Sequence, residues 1–457
     1  MNHLHNQAAL LLLYGAAMIP AGNCRAAAGK KPAKAEKPNF IIIMADDMGY
    51  GDIGCFGNNQ TKTPVLDQMA ASGIKLTDYH SNGAVSTPTR AALVTGRYQQ
   101  RAGLQGVHLP WKEETRNIGL QEGEVTFGKV MSDNGYKVAL FGKWHLGTAD
   151  YASPNRRGFP LFTGYRGANI DYVNHRDATG ADDWWLNMEL HPEAGYATDL
   201  IAQHTADFIR ENSSAPFCIY VAHAVPHYPY QAPGDPEFRM PGKGMQHQAP
   251  RKDKDNAYRE MIERLDKTTG DILAALKQTG LDRKTIIFFV SDNGPVGSGQ
   301  TGGLNGRKAS LLEGGHRVPG IVYAPGQLPS GVVCNQTVMS MDIFPTMLDF
   351  AGIKYNDSKK PLDGTSIATI LRKGTPLPHR SLFWRSSNQV AIRNGDWKMI
   401  CYRGGKDKGK TVLYNLNDDL YETTDLSAAH PDTVARLKAE IAAWEKSIDS
   451  EVPEQID

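Results

Sequence analysis

A hydroxyl, a proline and an arginine within one helical turn raise the first chemical question in this chain. Residues 86–98 read STPTRAALVTGRY, a polar turn that runs into an Ala/Leu-rich stretch. Ser86 or Thr87 is placed to cap a helix, and Pro88 suits its first turn, where a missing N–H costs nothing. A helix start presents free N–H groups and partial positive charge, which suit a tetrahedral anion. Arg90 follows Ser86 by four residues, so its guanidinium reaches the same anion. The segment reads as a sulfate or phosphate site that contains a nucleophile. The plainer reading is a helix that begins Ser-x-Pro.

Four other places carry complementary chemistry. Asp46 and Asp47 follow the apolar run NFIIIMA, and Asp292 and Asn293 follow TIIFFV. Three aspartates and an asparagine are oxygen ligands for a hard cation, with calcium favoured for its irregular, high coordination and magnesium as the alternative. Lys143 and His145 end a third strand-like run; His223 and His227 follow a fourth. Lys143, Lys308, Arg90, His145 and His227 would surround an anion on that cation and neutralise charge on its oxygens. A histidine near its ordinary pKa of roughly 6.5 can give or take a proton near neutrality. His223 and His227 compete for one role, and the Pro-His-Tyr-Pro setting favours His227. Taken singly, each group is an ordinary loop start, cap or turn.

Those residues need elements to position them. Residues 39–45 and 285–290 are continuous apolar runs rich in β-branched residues, as in strands buried on both faces. Residues 74–77, 137–141 and 217–222 read as further strands. Helices are expected after Thr63-Pro64 up to Gly73 and over 122–134, 196–210 and 258–278, with a long Pro/Gly/Lys-rich surface loop over 231–256. This alternation predicts an α/β fold, a large, mostly parallel sheet flanked by helices. Ligands then sit beyond the carboxyl ends of the strands, where all four groups of residues fall. From about residue 375 the texture changes to short strands at 380–384, 390–393, 397–402 and 411–414, with GGKDKGK as a hairpin tip and a last helix over 431–448. That predicts a smaller C-terminal α+β subdomain with an antiparallel sheet, so that residues 39–374 form the catalytic domain and 375–457 the subdomain.

A chain of 457 residues, 40% hydrophobic and 22% charged, can bury a large core, and a formal net charge of +1 gives no reason to expect a nucleic-acid partner. Residues 1–28 read as a signal peptide whose apolar stretch, 8–19, is too short to span a bilayer, with Ala26 and Ala28 as an A-x-A cleavage site. Residues 29–38 read as a linker, and the mature chain is expected to have no transmembrane segment. The protein is expected to be exported, either periplasmic or anchored to the outer membrane if Cys24 is lipidated. The five cysteines form no C-x-x-C pair, so isolated buried thiols are expected.

Together these motifs resemble the formylglycine-dependent, type I sulfatases of the alkaline-phosphatase superfamily. The signature Cys/Ser-x-Pro-x-Arg followed by Thr-Gly is met by Ser86, Pro88, Arg90, Thr95 and Gly96, and Gly-Tyr…Gly-Lys-x-His by Gly135, Tyr136, Gly142, Lys143 and His145. The blocks at 44–47, 63–67, 291–294 and 313–319 also resemble family blocks in the family's order. The resemblance implies that Ser86 is oxidised to formylglycine, whose hydrate is the nucleophile. It implies that Asp46, Asp47, Asp292, Asn293 and the residue at Ser86 bind calcium, and that Arg90 and Lys143 hold formylglycine and sulfate. His145 would assist elimination, His227 would protonate the leaving group and Lys308 would contact sulfate. A serine at the nucleophile position implies an anaerobic-type sulfatase-maturating enzyme as partner. Val138 replaces the Ser or Thr usual after Gly-Tyr-x.

For the substrate, residues 156–159 and 171–175 resemble the branch of galactose and N-acetylgalactosamine sulfatases, which points to a sulfated glycan of glycosaminoglycan or mucin type. His175, Arg176 and His223 become candidates for substrate contact, with Trp184 or Trp185 for stacking. Competing expectations are a phosphatase or phosphodiesterase of the same superfamily, or a non-catalytic binder of sulfated glycans if Ser86 stays unmodified.

Overall fold

The computed structural model describes residues 37–451. The signal segment 1–28, Cys24 and most of the 29–38 linker lie outside the described residues. The architecture is a ten-stranded mixed sheet between helices and, beside it, a four-stranded antiparallel sheet.

Four strands form the centre of the large sheet in the spatial order Thr285–Ser291, Asn39–Ala45, Phe217–Ala222 and Lys137–Lys143, all parallel. Parallel strands need coverage on both faces, which explains their unbroken apolar runs. Side chains alternate along Asn39–Ala45. Phe40, Ile42 and Met44 enter the core shared with helices Ser86–Thr95, Phe127–Asp133 and Ile343–Ala351. Ile41, Ile43 and Ala45 enter the core shared with helices Pro64–Ala71, Ala197–Glu211 and Lys254–Gln278. Register sets the strand ends level: Ala45 lies opposite Ser291, and Ala222 lies opposite both Met44 and Gly142. Gly142 is required here, because it has φ +106° and a Cβ would come 2.0 Å from the Ala222 carbonyl oxygen.

The sheet departs from the parallel expectation away from its centre. Gly320–Tyr323 inserts antiparallel between Thr285–Ser291 and Ile74–Leu76, and Trp185–Leu186 and Glu189–Leu190 add an antiparallel edge. Helix bounds shift too. The helix expected over 122–134 spans Phe127–Asp133, because Thr126 accepts from Lys129 N and starts it late. The long helix starts earlier than expected, at Lys254.

The smaller sheet runs Ser381–Arg385, Gln389–Asn394, Trp397–Tyr402 and Thr411–Asn415, with helix Pro431–Asp449 packed on it. Its core continues into the large unit, where Trp384 donates its indole N–H to Ser81 O at 2.8 Å and packs in one cluster with Ala84 and Ala92. A buried polar network crosses the same boundary. Lys398 lies 2.8 Å from both Glu313 and Glu422 and 3.1 Å from His316 Nε2. Burial opposes the charge on Glu313, but Lys398 and the neighbouring histidines hold it well below the ordinary range. The His80–Glu313–His316 cluster has the donors of a metal site, but the Lys398 ammonium already supplies its positive charge.

Among the described residues no helix is long and apolar enough to cross a membrane. Cys55, Cys218, Cys334 and Cys401 are free; only Cys218 and Cys334 are fully buried.

Candidate active site

Helix Ser86–Thr95 begins on Val85, which makes no side-chain cap, so Ser86 is the first helical residue rather than a capping one. Thr87 does not cap either; its hydroxyl accepts from His108 N at 3.1 Å. Freed from capping, the Ser86 hydroxyl lies 3.2 Å from Asp46 Oδ1 and 3.3 Å from Asn293 Oδ1. Arg90, one turn later, grips Asp292 Oδ2 through Nε at 3.1 Å and Nη2 at 2.8 Å.

The level strand ends bring the other groups to the same place. Asp47 sits at φ 64°, a left-handed conformation that costs a non-glycine residue about 1–3 kcal/mol and is retained where surroundings enforce it. Asp47 N donates to Asp292 Oδ1 at 3.1 Å, and the next amide, Met48 N, donates to Ser291 Oγ at 3.0 Å. Lys143 donates to Asp46 Oδ2 at 2.6 Å, Lys308 to Asp47 Oδ1 at 2.5 Å, and Asn293 Nδ2 to Asp47 Oδ1 at 2.7 Å. Three carboxylates thus face three cations, and of these six side chains only Lys308 keeps solvent exposure, at 20%.

Two of the site histidines, His145 and His227, have fixed tautomers. His145 Nε2 lies 2.8 Å from the His108 carbonyl, so it carries the proton, and the buried Nδ1 has no hydrogen-bond partner among the described residues. Burial, then the charge of Lys143, holds His145 well below the ordinary histidine range, so the ring is neutral with a basic Nδ1. His145 too is left-handed, at φ 58°. His227 Nδ1 donates to Tyr228 O at 2.6 Å, which leaves Nε2 facing Asp47 Oδ2 at 3.6 Å. Burial pushes His227 down to about 3, with Lys308 and Lys143 opposing the pull of Asp47. Tyr172 fixes the turn before it, its hydroxyl bridging Ala224 O at 2.7 Å and His227 O at 2.8 Å. His223 is buried with neither ring nitrogen bonded among the described residues, and burial takes it down to about 3.

The donor set fits a hard divalent cation. Asp47 Oδ2 is buried without a hydrogen-bond partner among the described residues, and ligand atoms of Asp46, Asp47 and His227 lie within 4.8 Å of one another. Asp292, Asn293 and the Ser86 hydroxyl add oxygens to the same cluster. Burial pushes the Asp47 carboxyl up, but the charge and hydrogen bond of Lys308 outweigh it and keep it ionised.

Comparison with known proteins decides what this arrangement belongs to. The sulfatase family model matches residues 38–353. This chain belongs to the sulfatase family. It is accordingly a sulfuric ester hydrolase. Human arylsulfatase A is 30% identical over 468 residues, covering 89% of this chain and 87% of that protein. Rattus norvegicus N-acetylgalactosamine-6-sulfatase is 29% identical, covering 79% and 71%. The crystal structure of Ps i-CgsB in complex with k-i-k-neocarrahexaose superposes with a TM-score of 0.80 at 27% identity, over 92% of this chain and 94% of that one.

In this sulfatase the sugar-recognition candidates take other places. His175 is buried, stacks on Trp184 with centroids 4.3 Å apart and lies 3.0 Å from Gly195 O. Trp184 is itself buried and donates to Glu193 at 3.0 Å. Trp185 carries the Arg166 guanidinium 3.9 Å above its ring. Arg176 reaches outward and pairs with Asp182 at 2.9 Å. The sequence reading missed His108, whose amide and carbonyl join the Ser86 helix to His145; a residue acting through its backbone leaves no motif.

Proposed function

We propose that this sulfatase removes sulfate from a carbohydrate, with galactose or N-acetylgalactosamine sulfate as the sugar, using formylglycine made from Ser86 and calcium held by Asp46, Asp47, Asp292, Asn293 and the converted residue 86. The observation that carries the reading is the Ser86 hydroxyl, which lies between Asp46 and Asn293 instead of capping its helix. Two similar proteins support the substrate class: one is named for N-acetylgalactosamine 6-sulfate, and the other was solved with a neocarrahexaose.

Formylglycine supplies a second hydroxyl on the nucleophilic carbon, and calcium supplies positive charge beside it. The residues of the chain do the rest. Lys143, Lys308 and Arg90 present fixed cations to the sulfate oxygens, where charge grows in the transition state. His145 Nδ1 takes a proton when sulfate is expelled, since its other nitrogen is already committed to His108. His227 protonates the departing sugar oxygen from Nε2. It needs a second ring proton to do so, and a bound sulfate anion favours that proton electrostatically. His223, neutral and buried, is a further candidate for substrate contact. Arg176 is the outward-reaching sugar candidate and His175 the buried one. Conversion of Ser86 requires an anaerobic-type maturating enzyme, and the chain is exported with residues 1–28 as its signal.

The test pairs sulfate and phosphate esters of one sugar with mass spectrometry of the Ser86 peptide from a producing host. The expected result is sulfate turnover and a peptide lighter by two hydrogens. Faster phosphate turnover overturns the sulfate assignment. Unmodified serine with glycan binding but no turnover makes the chain a binder.

A further inference from the structure

Next to His227 lies a chain of aromatic rings that none of the catalytic steps uses. Tyr228 follows His227, with ring centroids 4.2 Å apart. His247 meets Tyr228 edge-on at 6.5 Å and 78°, and Trp111 meets His247 at 6.4 Å and 61°. Tyr228 and Trp111 are half-buried and His247 is exposed. Tyr228 packs on the His227 ring, whose Nε2 faces Asp47 Oδ2 at 3.6 Å, which places this ring beside the sulfate pocket. Neighbouring rings stand 78° and 61° apart, so in each pair an edge meets a face, and what the group offers is one ring face with the edges beside it.

Each ring has a built support. Trp111 lies three residues after His108, which is tied to Thr87 and to His145. Tyr228 is adjacent to the turn that Tyr172 clamps. His247 comes from the long loop, next to Gln246, which makes four hydrogen bonds: its amide to Ala178 O at 2.7 Å, its carbonyl from Arg239 Nε at 3.0 Å, and its side chain to both backbone atoms of Met240. Arg239 is buried and anchored in turn on Asn169 and Arg176 O. The loop therefore presents His247 from a fixed base.

We propose that Trp111, Tyr228 and His247 form a stacking platform for the apolar face of a sugar ring adjoining the sulfated one, so that sulfated saccharides of two or more rings are preferred over the sulfated monosaccharide. The cations of the pocket serve the sulfate. The platform has only uncharged or weakly basic rings, which match the C–H face of a pyranose. This rests on the carbohydrate-sulfatase reading above, and it moves the stacking role from Trp184 and Trp185 to residues outside the motifs.

The experiment measures kcat and KM for the mature enzyme on a sulfated tetrasaccharide and on the sulfated monosaccharide of its reactive end. Trp111→Ala is expected to lower the tetrasaccharide-to-monosaccharide ratio of kcat/KM about tenfold through KM, and Trp111→Phe to restore most of it. His247→Ala, in an exposed position that cannot unsettle the core, is expected to lower the same ratio by about threefold. A ratio unchanged in both alanine variants overturns the platform while leaving the sulfatase reading intact. A wild-type enzyme that hydrolyses an aryl sulfate but neither saccharide overturns the carbohydrate reading, and the platform with it.

Discussion

Replacing Glu422 by glutamine should stabilise the protein above neutral pH. Glu422 is 2% exposed, accepts from Glu313 N at 2.6 Å and lies 2.8 Å from the Lys398 ammonium. Burial, with the charge of Glu313, pushes its carboxyl up from 4.5 to about 7 against the pull of Lys398. An acid with a raised folded-state pKa gives stability that is complete below its unfolded value and is lost as pH climbs through the folded one. At about 1.4 kcal/mol per unit, that shift removes about 3 kcal/mol of stability between pH 4.5 and 7. Glutamine never ionises and keeps one acceptor oxygen for the Glu313 amide; its NH2 takes the Oε1 place beside Lys398, as the O–H of the protonated acid does. Urea unfolding across pH should show the two proteins within about 1 kcal/mol of each other near pH 5. The variant's advantage should then grow to about 3 kcal/mol by pH 8. A glutamine variant less stable than the parent at pH 8 refutes the reasoning, because the Lys398–Glu422 attraction would then exceed the burial cost.

Three other outcomes follow from the geometry. Gly142→Ala forces a Cβ to 2.0 Å from Ala222 O at φ +106°, so a loss of more than about 3 kcal/mol in unfolding free energy is expected, with little folded protein recovered. Calcium at a hundred times its dissociation constant should stabilise the EDTA-treated protein by about 2.7 kcal/mol, read from its melting curve, and Asp47→Asn should abolish most of that gain. Arg90→Lys keeps the charge but loses the two-nitrogen grip on Asp292, so kcat/KM on a sulfate ester should fall about 10- to 100-fold.

The centre of the fold could be read from the chain because two-sided burial leaves a strong trace. Asn39–Ala45 and Thr285–Ser291 have no inward-outward alternation to blur, and the polar residues that end them are the site itself. The edges leave no such trace: Gly320–Tyr323 has four residues, and its antiparallel direction is set by partners distant in sequence. Ser86 was legible as a reactive position but not in its geometry. Cap preference is a local rule, and here packing around Asp46 and Asn293 prevails over it. Trp184 and Trp185 looked available because sequence does not distinguish a ring that meets sugar from one that meets His175 or Arg166.

The burial of Ser86 also sets a clock. Every residue of its helix is buried, and one of the oxygens facing its hydroxyl belongs to a residue 207 positions later. An enzyme that must handle the Ser86 side chain can meet it only before that later strand end docks. At about 5–20 residues per second, synthesis of the intervening chain takes on the order of 10–40 s. Under the proposed function, conversion of Ser86 becomes a race against the arrival of residues 292 and 293. Slower translation of this stretch should raise the converted fraction, and folding that finishes first should lock the serine away unconverted.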